Sequence, residues 1–134
     1  MGKDDFTKIP NGAAGIENRM ALTYTYGVTT GRITLEQFVD VCCTKPAKIF
    51  NLYPRKGAIR VGSDADLMVY DPSVSSTISA RSHHHKVDRN IFEGFAIKGA
   101  VTHTVANGRV QFAAGDLRVE RGAGRYLPRH AQGV

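Results

Sequence analysis

A chain of 134 residues sets one domain as the expectation, with a core of modest size. Its 42% hydrophobic and 22% charged residues fit a soluble globular protein, and no apolar run approaches the roughly 20 residues of a membrane helix. The net charge of +6 is scattered rather than gathered into a basic stripe, so neither a nucleic-acid nor a membrane partner is expected.

The first 15 residues carry Asp4, Asp5, Pro10, Asn11-Gly12 and Gly15, the chemistry of a long loop. The polar start MGKDDFTKIPNG predicts no secretory leader. Loops of this length connect two elements or line a site. Within it, Ile9-Pro10-Asn11-Gly12 presents backbone N–H and C=O groups at a tight turn. Those groups match the donor and acceptor of a cyclic amide, although an ordinary turn explains the same residues. Residues 16–30 predict a helix with Ile16, Met20 and Leu22 on its apolar face, ended or bent by Gly27 and Gly31. Thr34 and Gln37 form a capping-box pattern for a second helix, with Ile33 and Phe38 as a hydrophobic staple. Leu35, Phe38, Val39 and Cys42 recur at helical spacing and predict one buried stripe. The adjacent Cys42 and Cys43 predict no disulfide and a reducing, cytoplasmic compartment. Thr44 and Pro46 mark a fresh start, because proline suits a first helical turn. A short helix over residues 47–52 would place Ile49 and Phe50 in the core, with Tyr53-Pro54 ending it.

Residues 57–72, GAIRVGSDADLMVYDP, mark the seam between helical and β-rich halves. They predict two short strands, at 58–61 and 67–70, joined at Gly62-Ser63-Asp64 and closed by Asp71-Pro72. A loop at 73–76 and a short strand at 77–79 follow, then a polar, irregular stretch, RSHHHKVDRNIFEG, over 81–94. Phe95-Ala96-Ile97 predicts a strand, and residues 100–112 a hairpin around a type I′ turn at Asn107-Gly108. Ala114-Gly115-Asp116 is a further turn, and the Gly- and Arg-rich tail from 122 onward is expected to stay disordered unless it docks. Helices at one end and strands at the other suggest the join of two domains.

The consecutive His83, His84 and His85 invite a metal reading. Neighbouring side chains on a strand point to opposite faces, and no Cys, Asp or Glu stands at a recognised ligand spacing. Surface or hydrogen-bonded histidines are the plainer reading, and His103 is a packing or surface residue of its strand. Asp64 and Asp66 flank a turn, where Asp accepts from local backbone N–H groups. No Ser/His/Asp or Cys/His set assembles, and the glycines of residues 11–15 form neither a GxGxxG nor a phosphate-binding loop.

The segments DDFTKIPNGAAGIENRM, RITLEQFVDVCCTKPAKIFNLYPRKGAIRVGSDADLMVYDP, TISARSHHHKVDRNIFEG and GAGRYLPR together resemble the C-terminal part of the dihydropyrimidinases and hydantoinases of the amidohydrolase superfamily. The resemblance covers nearly the whole chain. It implies the end of a (β/α)8 TIM-like barrel followed by part of a small β-sandwich. Residues 1–55 would be the last loop and helices of the barrel, 56–121 a sandwich segment with a connecting loop at 80–94, and 122–134 a tail.

In that family two zinc ions, bridged by a carboxylated lysine, hold a hydroxide that opens a ring amide. The metal lowers the pKa of water and polarises the carbonyl. The family's ligands lie upstream, so the resemblance implies neither a catalytic nor a metal-ligating residue in this chain. Asn11 carries over as the residue that contacts the substrate ring through its main chain, while His83–His85 align with a loop not used for metal. Homo-oligomers of the family's tetramer kind are implied. Unpaired sheet edges and bare helix faces also predict self-association.

The chain also resembles the collapsin response mediator proteins, non-catalytic scaffold and assembly relatives on the same fold. FNLYPRKG, NIFEG and GRYLPR suit either branch, whereas IPNG favours the enzymes. Ala13-Ala14 and Arg89 depart from the usual pattern and bear on the choice of substrate. The expectation is part of a cyclic amide hydrolase that is inactive as this chain alone, with the scaffold as the alternative and a basic binding module as a weaker third.

Overall fold

Two helical stretches meet one antiparallel sheet through three aromatic rings. The structure, a computed structural model, describes residues 2–9 and 11–129. Pro10 of the predicted turn and residues 130–134 of the predicted tail lie outside the described residues.

The first stretch runs through a 3₁₀ turn, Ile16–Asn18, helix α1, Arg19–Thr23, and a π turn, Tyr24–Val28. Threonine hydroxyls explain the widening. Thr23 donates to the carbonyl of Arg19 (2.7 Å), Thr25 to that of Ala21 (2.6 Å) and Thr30 to that of Tyr26 (2.9 Å). Such bonds to the carbonyl four residues back compete with the helical ladder and loosen it. Gly31, at φ +72°, stops the stretch, and its N–H donates to the Val28 carbonyl at 3.0 Å. Ile16 does not share the predicted apolar face; it is exposed.

The second stretch is α2, Leu35–Val39, a π turn, Asp40–Thr44, and α3, Lys45–Ile49. The capping box forms as expected: Gln37 N–H donates to Thr34 Oγ1 (3.2 Å), and Thr34 N–H donates to Gln37 Oε1 (2.9 Å). A new α-helix starts at Thr44–Pro46 as expected, although it ends at Ile49 and not at residue 52. Pro46 lies in the first turn of α3, directly after the π turn, so the stretch passes through without the N–H that proline lacks.

The predicted buried stripe is also corrected. Phe38 and Ala47 are buried at 2% and 6% exposure, but Leu35, Val39, Ile49 and Phe50 are exposed, Ile49 at 73%. Phe38 packs on the rings of Tyr24 and Tyr70, and the other apolar residues face outward. Gly57 approaches α3 closely. At φ +74°, a Cβ there would sit 2.6 Å from that of Ala47, and the Gly57 carbonyl accepts from Thr44 Oγ1 at 3.0 Å.

No strand forms at 58–61, another correction; Ile59 and Val61 are exposed. Charge pairing shapes the segment instead. Arg55 Nε meets Asp64 Oδ2 at 3.0 Å, and Lys56 Nζ pairs with both Asp64 (3.0 Å) and Asp66. Burial lowers the Lys56 pKa, but the two carboxylates outweigh it and hold the ammonium above its ordinary value. Asp66 Oδ1 accepts from Asn107 N–H at 2.8 Å, which ties the segment to the hairpin turn and fits the structural reading of both aspartates.

The sheet is a meander in the order β1-β2-β3-β4: β1, Leu67–Thr77; β2, Ala96–Ala106; β3, Arg109–Ala113; β4, Asp116–Leu117. β1 is longer than predicted, because the chain passes Asp71-Pro72 and the supposed loop as an irregularity in which pairing jumps from Asp71↔Ala100 to Ser75↔Lys98. A bulge tolerates the missing proline donor. The two strands expected around residues 95–106 are one. Asn107 (φ 50°) and Gly108 (φ 74°) supply the positive φ values of a type I′ turn.

Tyr24, Phe38 and Tyr70 join helices to sheet, with centroids 5.9 Å (Tyr24–Phe38), 5.0 Å (Tyr24–Tyr70) and 6.1 Å (Phe38–Tyr70) apart. Each such pair contributes about 0.5–1.5 kcal/mol beyond its buried area. Tyr70 lies across Gly99, where a Cβ would collide with the ring, and its hydroxyl donates to the Lys98 carbonyl at 3.1 Å. Tyr26 donates to the Ala96 carbonyl at 2.9 Å, and Thr25 Oγ1 accepts from Lys98 N–H at 2.8 Å. These bonds dock the first helical stretch on the start of β2.

Candidate functional site

Asn11 lies between a locally capped turn and a segment tied to the far part of the chain. Before it, Asp5 caps the 3₁₀ turn Phe6–Lys8 by accepting from Thr7 N–H (3.0 Å) and Thr7 Oγ1 (2.7 Å). Asn11 itself is exposed. Gly12 follows at φ +86° with open space where a Cβ would stand, so the turn carries its main chain at the surface. Such a turn offers an adjacent N–H and C=O, the complement of an amide edge. Beyond it, Ala14 and Gly15 lead into the Ile16–Asn18 turn.

That turn is where the three histidines gather. Glu17 is their centre: Oε1 accepts from His84 Nδ1 (2.6 Å), Oε2 accepts from His84 N–H (2.8 Å), and Glu17 N–H donates to His85 Nε2 (3.4 Å). Burial raises the Glu17 pKa, but the His84 hydrogen bonds and the nearby His84 and His85 charges prevail, so the carboxyl titrates below its ordinary range. His83 Nε2 donates to the Val87 carbonyl at 2.9 Å, which leaves Nδ1 as an acceptor 3.5 Å from Asn90 Nδ2. Asn90 is the buried polar side chain among the described residues. Its Nδ2 donates to Asn18 Oδ1 at 2.7 Å and its Oδ1 accepts from Phe92 N–H at 2.9 Å.

These bonds engage the histidines as hydrogen-bond partners. Among the described residues, no group of three or more His, Cys, Asp or Glu is disposed to hold a metal ion. Cys42 and Cys43 are free thiols whose pKa values are pushed up by burial against the opposing charge of Arg19. Among the described residues, no helix is long and apolar enough to cross a membrane.

Glu17, Asn18 and Asn90 were not singled out in the sequence. No spacing rule links residue 17 to 84 or 18 to 90. The one local signal is Asn90 itself, since an Asn that caps the N–H two residues on is a turn former. A cleft of roughly 510 Å3 opens between Glu17 and His84 on one side and Ile97, Val101 and Phe112 on the sheet.

The architecture and the loop have counterparts among known proteins. The profile of the amidohydrolase family matches residues 4–111, and the chain belongs to that family. The particular branch is that of the dihydropyrimidinases and D-hydantoinases. The chain is 49% identical over 129 residues to the dihydropyrimidinase of Dictyostelium discoideum, covering 96% of this chain and 26% of that protein. It is 50% identical to the dihydropyrimidinase of Rattus norvegicus, over 96% of this chain and 25% of that one. The crystal structure of dihydropyrimidinase from Brevibacillus agri superposes with a TM-score of 0.88 at 47% identity, over 93% of this chain and 27% of that chain. The chain thus spans about a quarter of the length of these relatives.

Proposed function

We propose that this chain is the C-terminal quarter of a cyclic amide hydrolase, whose reaction is reversible hydrolytic opening of a dihydropyrimidine or hydantoin ring. The observation that carries the reading is the identity of about half over nearly the whole chain to dihydropyrimidinases. In this reading residues 1–55 close a (β/α)8 barrel, residues 56–121 belong to a β-sandwich with a connecting loop at 80–94, and 122–134 is a tail. The Asn11-Gly12 turn contributes its main chain to recognition of the ring amide. Its exposure and the open space beside Gly12 support that role.

Two zinc ions are implied by the resemblance. The residues described here do not fit them, because no ligand group forms and the histidines are engaged with Glu17, Val87 and Asn90. No metal-dependent step is assigned to this chain; the ions belong to the remainder of the protein. Leu35, Val39, Ile49 and Phe50 leave apolar surface exposed. That remainder, or a second copy in a tetramer-like assembly, covers it.

The test is ring opening of a dihydropyrimidine and a hydantoin by the whole gene product from its source cells, with and without a chelator. Opening that chelation abolishes is expected, and the 134-residue chain by itself is expected to open neither ring. A metal-loaded whole protein that opens neither overturns the reading and leaves the non-catalytic scaffold in its place.

A further inference from the structure

The segment from His84 to Phe92 holds the far end of the Asn11 loop almost residue by residue. Ile91 N–H donates to the Ala14 carbonyl at 3.4 Å. Phe92 packs on Gly15, where a Cβ would stand 2.9 Å from the ring at a backbone φ of +149°. Glu17 takes both His84 donors at 2.6 and 2.8 Å and gives its own N–H to His85. Asn18 Oδ1 receives Asn90 Nδ2 at 2.7 Å, and Asn90 is fixed in turn by Phe92 N–H. Within residues 11–15 the segment meets Ala14 through one hydrogen bond and Gly15 through the Phe92 ring, and its other ties fall just beyond, on Glu17 and Asn18.

Ordering a loop residue costs about 1–2 kcal/mol in backbone entropy, so a turn that must present its main chain accurately needs external ties. A Cβ built on Gly12 would meet nothing within 4 Å, so no side chain packs there to hold the turn. Asn11 lies three residues before Ala14, within about 10 Å of chain, so displacing residues 14–18 displaces the turn. Small errors in such placement weaken binding of a ring far more than they disturb the fold.

We propose that residues 84–92 act as a strap, with Asn90 and the Glu17–His84 pair as positioning residues that set the Asn11 turn for binding the ring amide. This rests on the reading of Asn11 given above. The strap touches no substrate; it acts through the loop.

The experiment uses the whole gene product, wild type and carrying Asn90→Ala, Glu17→Ala or Glu17→Gln. Two readouts are taken: KM and kcat for a dihydropyrimidine, and hydrogen–deuterium exchange of residues 11–15 against residues 100–112. Loss of one tie raises KM about tenfold in N90A and E17A with kcat nearly unchanged. Exchange rises at 11–15 and not in the hairpin. E17Q keeps an oxygen acceptor for His84 and returns toward wild type, which a bulk stability defect would not produce. Unchanged exchange at 11–15 in N90A and E17A overturns the strap while leaving the hydrolase reading intact. Raised exchange with unchanged KM overturns the link from strap to substrate. A wild-type protein that opens no ring overturns the functional reading, and the substrate half of the proposal with it.

Discussion

The stretch from Leu35 to Ile49 and the stretch from residue 81 to 94 are nearly equal in length and opposite in character. The first is continuously helical, yet most of its large apolar side chains face outward. The second has no helix or strand, yet it contains the buried Asn90 and reaches back across the chain to Ala14, Glu17 and Asn18. Regular backbone is therefore a poor guide to how firmly a segment is tied into this molecule. A helix satisfies its own backbone groups and needs the rest of the fold for its side chains. An irregular loop must find partners elsewhere, and here those partners flank the candidate substrate-reading turn.

The sharpest way to break this comparison is to cut the few contacts of the helical stretch that do face inward. Phe38→Ala removes a ring buried between Tyr24 and Tyr70 and is expected to cost about 3–5 kcal/mol in denaturant unfolding. In the 134-residue chain by itself, with nothing covering that side, Leu35→Ala and Val39→Ala are expected to stay within about 0.5 kcal/mol. Equal losses at Phe38 and Leu35 would mean that the outward face is buried in the chain as it folds.

Gly99→Ala attacks the same joint from the sheet. At φ +83° and beneath Tyr70, the new Cβ must displace the ring and strain the backbone, for a loss of about 2 kcal/mol. A melting temperature equal to the wild type would show that Tyr70 does not press on β2 as described.

Changes of pH separate the two regions with smaller effects. Burial, with Tyr24 beside it, pushes the Tyr70 phenol up to about 12. Its folded pKa is raised, so its contribution is complete below the ordinary value of 10.0 and is lost as pH climbs toward about 12. Tyr70→Phe should flatten that alkaline fall. Glu17 has the opposite sign: its folded pKa is depressed, so its contribution is present above the ordinary carboxylate range and is lost as pH falls through the lowered value. Acid should thus raise exchange at residues 11–15 before it loosens the aromatic joint, and Glu17→Gln should remove that acid dependence. Simultaneous loosening of loop and core in acid would count against a separately held loop.

The features that could be read from the sequence are those set by near neighbours. The Thr34–Gln37 capping box and the Asn107-Gly108 turn each depend on a few adjacent residues, and both form. Ala58-Ile59-Arg60-Val61 alternates like a strand but has none to pair with among the described residues, and the Lys56–Asp64–Asp66 charges shape it instead. Pro46 was legible as part of a first helical turn, whereas the π turn before it leaves no mark in the apolar spacing. At the site, the turn chemistry of Asn11-Gly12 was legible, while its part in binding substrate is a proposal that rests on the family resemblance. The turn's anchors were not legible, because Asn90 and Asn18 stand 72 positions apart and only the fold brings them to 2.7 Å.

The most direct measurement is the initial rate of dihydropyrimidine ring opening by the whole gene product, wild type beside Gly12→Ala. Gly12 has a φ of +86° and nothing near its missing Cβ, so alanine alters the turn without pressing on a neighbour. The account predicts ring opening by the wild type and a KM about tenfold higher in G12A with kcat little changed. No ring opening by the wild type, or a G12A variant with the wild-type KM, would contradict it.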